Sequence, residues 1–134
     1  MDIQTEYASP LSLKKLLISE CRFKRSEDSL RGIKADVHIN RKIDAISENT
    51  YKITLDLSLT GEGNKLDIFV KCVAYFETTQ DNISLIEKNT LAIMFPYVRS
   101  YVSNITAQPD MVPVVLPPIN IAAMFRDASD TLNN

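Results

Sequence analysis

Apolar and polar residues alternate strictly over two stretches of the chain. Ile33, Ala35, Val37 and Ile39 are interleaved with Lys34, Asp36, His38 and Asn40. Tyr51, Ile53, Leu55, Leu57 and Leu59 are interleaved in the same way with Lys52, Thr54, Asp56, Ser58 and Thr60. A period of two sends successive side chains to opposite faces of a strand, so each stretch predicts a half-buried strand. Leu66, Ile68, Val70, Cys72, Ala74 and Phe76 repeat the pattern, while Phe69, Val73 and Tyr75 occupy the second face. That predicts a strand covered in part on both sides. Gly61-Glu62-Gly63-Asn64 reads as the hairpin turn between these strands, its two glycines supplying positive φ. Earlier, in residues 13–25, Leu13, Leu16 and Leu17 have helical spacing, whereas Leu17, Ser19, Cys21 and Phe23 alternate with Glu20, Arg22 and Lys24. The second half of that run reads as a strand with a solvated face or an edge position.

The period then changes. From residue 89, Leu91, Phe95, Val98, Val102 and Ile105 recur at helical spacing, and Ile93, Tyr97 and Tyr101 form a second stripe four residues apart. A helix packed on one layer needs one apolar stripe, so two stripes predict protein on both sides and hence an assembly. Asn89 or Thr90 is the expected N-cap, and Pro96 predicts a kinked or locally broken helix. Gln108-Pro109 stops the helix. Pro113, Pro117 and Pro118 impose an extended path on residues 112–119. Asn120 then caps a short helix with Ile121, Met124 and Phe125 on one side. Strands followed by helices predict the α+β class, a four-stranded antiparallel sheet with a long helix and a short C-terminal helix packed on one face.

Composition narrows the function. The 134 residues, 45% of them hydrophobic, suit a single domain over 1–134, with 1–10 a flexible polar lead-in and 127–134 a polar tail. A formal net charge of −2 gives no basic footprint for nucleic acid. The lead-in has no charged-then-apolar leader and no apolar run is long enough to insert in a membrane, so a cytoplasmic setting is expected. Cys21 and Cys72 lack ligand spacing and are expected to be two buried thiols. His38, the one histidine, falls on the polar face of a strand, glycine-rich phosphate loops are lacking and the acids are scattered. No catalysis, metal or cofactor is expected. Binding fits better. Met94, Met111 and Met124, with Phe95, Tyr97, Tyr101 and Phe125, could border a groove around the proline-rich segment or serve as ordinary core.

The run Phe95-Pro96-Tyr97-Val98-Arg99, followed by Pro118-Ile119-Asn120-Ile121 and then Met124-Phe125, resembles the protein-export chaperone SecB family, as does the order of strands, long helix, loop and short helix. The resemblance implies an ATP-independent holdase whose protomers pair and whose pairs stack into a homotetramer with the long helices between them. It implies an oligomer interface at Leu91, Ile93, Phe95, Tyr97, Val98, Tyr101, Val102 and Ile105. It also implies a groove for unfolded or nonnative polypeptides bordered by Val37, Ile39, Leu116, Ile119, Met124 and Phe125. Family members that deliver cargo to the SecA motor use an acidic patch and a long C-terminal tail. Here Lys24 and Lys71 stand at the matching positions beside Glu20, and the chain stops at Asn134, which weighs against SecA as a partner. The alternatives are a dedicated chaperone of one partner, such as the antitoxin of a toxin–antitoxin pair, and an assembly module with the same fold.

Overall fold

The computed structural model describes residues 4, 6, 10–79 and 83–120. Four strands, β1 (Leu11–Arg25), β2 (Ala35–Ser47), β3 (Thr50–Gly61) and β4 (Leu66–Thr78), precede one helix, α1 (Ile83–Ile105). The sheet order is β1-β4-β3-β2, and every neighbouring pair is antiparallel. The expected α+β fold is therefore present. The short C-terminal helix, with Ile121, Met124 and Phe125, lies outside the described residues.

The alternation in β3 and β4 predicts the buried face well. Ile53, Leu55, Leu57 and Leu59 are buried, as are Leu66, Ile68, Val70, Cys72, Ala74 and Phe76 on the same face. In β1 the expected face needs correction. Its pairing with β4 slips at Leu13/Lys15 and again at Ile18/Glu20. Each slip inserts a residue that the partner does not match and reverses the phase of the rest of the strand. Leu13, Leu16, Ile18 and Phe23 consequently pack on the core, whereas Leu17 stands across from Val73 on the other face. The helical spacing of Leu13 and Leu16 is a bulged strand. Cys21 is exposed, so only Cys72 is the expected buried thiol, and both are free. β2 begins two residues later than its alternation suggests, at Ala35, and runs on to Ser47.

Two turns join the strands of the β2–β3–β4 meander. Asn49 adopts φ 67° between β2 and β3, a conformation that asparagine tolerates. In the next turn, a single 3-10 turn at Glu62–Asn64, positive φ belongs to Gly63 and Asn64 and not to Gly61. Gly61 is instead required by close approach. A Cβ there would sit 3.0 Å from both the Ile33 Cδ1 and the Leu66 Cβ atoms.

Helix α1 starts earlier than predicted, at Ile83, which makes Thr90 an interior residue. Its buried hydroxyl donates to the Ile86 carbonyl a turn back, so it satisfies a helix interior and not a cap. Pro96 lies inside the 23-residue helix, which continues on both sides of it, so the helix is not broken there. Pro96 is exposed, so its missing N–H and ring face solvent. Ile86, Leu91, Met94, Phe95, Val98 and Val102 close the helix onto the sheet. Beyond α1 the chain is extended, without helix or strand, to Asn120. It is tied back by Val114, whose N–H donates to Thr106 Oγ1 and whose carbonyl accepts from Ser103 Oγ, both at 2.8 Å. Leu116, two residues on, is 2% exposed and completes the core.

Candidate peptide-binding cleft

Antiparallel order brings the end of β1, the start of β2, the end of β3 and the start of β4 to one edge of the sheet. The connection between β1 and β2 crosses that edge, and the chain leaving α1 returns to it. A cleft of about 370 Å³ opens between these segments. One wall is Ser29, Leu30, Arg31 and Ile33, and the other is Asp110, Met111, Val112, Pro113 and Val114. Ala35, Leu59 and Leu66 complete it from the strands. Leu59 and Leu66 are each 3% exposed and belong to the core.

Sequence dictates each part locally. The crossover has no period and few apolar residues, but Leu30 and Ile33 drop back onto the core as partly buried side chains. Arg31 N–H donates to Ser29 Oγ and Asp28 N–H to Ser26 Oγ, the local serine bonds that favour turns over strands. Opposite, Asp110 takes φ 56°, and Pro113 keeps the following residues extended. Val112 and Val115 stay strongly exposed, whereas Met111 and Val114 are half-buried against the core. The walls thus offer aliphatic and thioether surface with Arg31 and Asp110 at the margin. That chemistry suits apolar side chains of an extended chain whose polar backbone stays near water.

Arg25 links the two walls. Its Nε donates to the Ser26 carbonyl at 2.8 Å, one terminal nitrogen to the Asp110 carbonyl at 2.8 Å and the other to the Asp28 carbonyl at 2.9 Å. The second terminal nitrogen also lies 3.6 Å from the Asp110 carboxylate. The side chain is 18% exposed, against 85% for Asp110, so the carbonyl bonds are better shielded than the ion pair.

The predicted groove residues fall into different places. Val37 is exposed and pairs with Leu59, on the same strand face as the lining residue Ala35, but does not itself line the cleft. Ile39 is half-buried one step further along β2, and Ile119 is half-buried against the core. Leu116 is core, while Met124 and Phe125 lie outside the described residues. Met111 lines the cleft, but Met94 is fully buried under the sheet. Sequence reasoning misses Leu30, Ile33, Val112 and Val114 as lining residues. Their one sequence signal is apolar side chains inside otherwise polar or proline-rich connections. In α1, Leu91, Phe95, Val98 and Val102 serve the chain's own core, Ile93, Tyr101 and Ile105 are half-buried, and Tyr97 is 52% exposed.

Among the described residues no group of acids, cysteines and histidine could hold a metal, and no helix is long and apolar enough to cross a membrane. The architecture is that of the SecB-like chaperones. A SecB-like chaperone of Mycobacterium tuberculosis, solved in complex with a ChAD peptide from the HigA1 antitoxin, superposes with a TM-score of 0.69 at 11% identity, covering 82% of this chain and 88% of that one. A protein of unknown function from Streptococcus agalactiae aligns with a TM-score of 0.48 at 11% identity, over 81% of this chain and 97% of that one. An uncharacterized protein of Methanocaldococcus jannaschii is 32% identical over 109 residues, which is 73% of this chain and 70% of that protein. The family model described as SecB, preprotein translocase subunit SecB, matches residues 1–131, and the chain belongs to the SecB family.

Proposed function

We propose that the protein is an ATP-independent holdase that binds nonnative polypeptide in the cleft between the β1–β2 crossover and residues 110–114. The observation that carries this is the aliphatic lining of an open cleft built from two irregular segments. Such a surface binds apolar side chains with little demand on sequence. Tyr97, exposed on α1, supports assembly through the helix, with a cytoplasmic homotetramer as the proposed state.

The test is light scattering of an aggregating client with stoichiometric protein and no ATP. Wild type should suppress scattering. Val112→Asp, which places a charge on an exposed side chain of the wall, should lose suppression with an unchanged unfolding midpoint. Scattering that wild type leaves unchanged would end this reading. A second reading, a dedicated chaperone of one antitoxin-like segment, is favoured by the peptide-bound mycobacterial neighbour. Lys24 and Lys71, on the sheet face away from α1, also weigh against an export motor that requires acids there. Capture of one partner, against recovery of many unfolded chains, separates the two readings.

A further inference from the structure

We propose that Arg25 is a positioning residue for the cleft: it touches no client, but fixes the separation of the walls and so selects which apolar side chains fit. The proposal rests on the client-binding reading of that cleft. Three facts converge. Arg25 ends β1 on the core face, opposite Leu66, and Leu66 lines the cleft. Its guanidinium donates at once to the crossover, through the Ser26 and Asp28 carbonyls, and to the Asp110 carbonyl of the other wall, 85 residues away. The segments it joins are irregular, and a strand ladder holds neither of them.

Other hydrogen bonds hold each wall to its own neighbour. Ser26 N–H donates to the Lys65 carbonyl, which ties the crossover to β4, and Val114 is held by Thr106 and Ser103 at the end of α1. The Arg25 bonds run between the walls. A planar fork that reaches three carbonyls has no lysine equivalent, because an ammonium on a flexible stem is a point donor. Asp110 Oδ2, at 3.6 Å and on an exposed side chain, is the lesser part of the link.

The experiment compares full-length wild type, Arg25→Gln, Arg25→Lys, Asp110→Asn and the control Arg22→Gln, whose parent side chain lies over Phe69 on the opposite sheet face. Two readouts are taken: amide exchange without peptide, and affinity for a fluorescent, extended peptide rich in leucine and valine. Arg25→Gln should speed exchange in residues 28–33 and 110–114 together by about tenfold and weaken the peptide about tenfold, since charged hydrogen bonds of this kind are lost. Exchange in β3 and β4 should be unchanged. Arg25→Lys should fall between, and it carries the test should the glutamine variant fail to fold. Arg22→Gln should resemble wild type, and Asp110→Asn, which keeps the main-chain carbonyl that Arg25 uses, should loosen the walls less than Arg25→Gln does. Unchanged exchange, or loosening of one wall alone, overturns the link. Loosened walls with wild-type affinity overturn the positioning role. Should wild type bind no peptide while both walls loosen, the link stands and the client-binding reading falls.

Discussion

Thr106→Val removes one hydroxyl and nearly preserves the side-chain shape, so its cost can be worked from the partners. Thr106 is fully buried. Its hydroxyl donates to the Val102 carbonyl at 2.7 Å and accepts from Val114 N–H at 2.8 Å. The Val102 carbonyl loses little, because Thr106 N–H still donates to it at 3.2 Å. Val114 N–H loses its partner. A buried donor left unsatisfied costs about 1–3 kcal/mol. Val114 is half-buried and water can reach part of its surroundings, so about 1–1.5 kcal/mol is the reasoned value. Ser103→Ala removes the donor to the Val114 carbonyl and should cost about 0.5–1 kcal/mol, as a neutral hydrogen bond does. Both side chains hold one residue, so the double variant should lose less than the sum: once the segment frays, the second bond is already gone. Urea unfolding gives the three values, and amide exchange near residue 114 shows whether the loss is local. A Thr106→Val shift below about 0.5 kcal/mol, with unchanged exchange there, would refute the anchoring argument.

Cys72 gives a pH dependence of defined sign. Burial pushes its thiol from an ordinary 9.0 up to about 11. The folded state then holds this proton where the unfolded state releases it, so the stabilisation is full below about pH 9 and is lost as pH rises toward about 11. Urea midpoints of wild type and Cys72→Ala across that range should converge at high pH, and parallel curves would count against it. Tyr97→Asp, at the 52% exposed position on the outer side of α1, should shift sedimentation toward smaller species while leaving the protomer's far-ultraviolet spectrum intact. Wild-type assemblies in that variant would remove Tyr97 from the interface.

Much of the fold is legible because burial on one sheet face forces alternation, and β3 and β4, at the sheet's centre, obey it through Ile53 to Leu59 and Leu66 to Phe76. The edge strand β1 resists the same reading for a physical reason. Its bulges reverse the phase twice within 15 residues, and a period of two carries no sign of where the partner strand skips a residue. Pro96 misleads when only local rules are applied. Whether a proline breaks a helix depends on which side its ring faces and on whether the flanking turns are held by packing. Here Met94, Phe95 and Val98 are all buried against the sheet around it. In α1 the two apolar stripes do not say which residues belong to the protomer's core and which to a partner. The sheet decides that by covering Leu91, Phe95, Val98 and Val102 and leaving Tyr97 outside.

The cleft is the least legible part, and the reason lies in how it is made. Val37 is placed near it by the family resemblance, and the structure pairs this β2 residue with Leu59 of β3. Leu30, Met111 and Val114 lie in segments with no period, and Ile33 precedes the strand that its alternation suggests, so their convergence depends on the sheet order and on where α1 delivers the chain. Leu116, between exposed Val115 and exposed Pro117, is the residue that seats the segment on the core. Arg25 is the sharpest case. In sequence it falls in phase with Cys21 and Phe23 and out of phase with Glu20, Arg22 and Lys24, and the pattern does not say what a cation there would meet. The second bulge puts it on the core face with Cys21 and Phe23, where its fork finds the carbonyls of Ser26, Asp28 and Asp110. Without the one-residue slip at Ile18/Glu20, alternation would point it to the outer face with Leu17, and the link between the walls would be lost. The irregularity that defeats the pattern reading is therefore what brings a cation to the cleft.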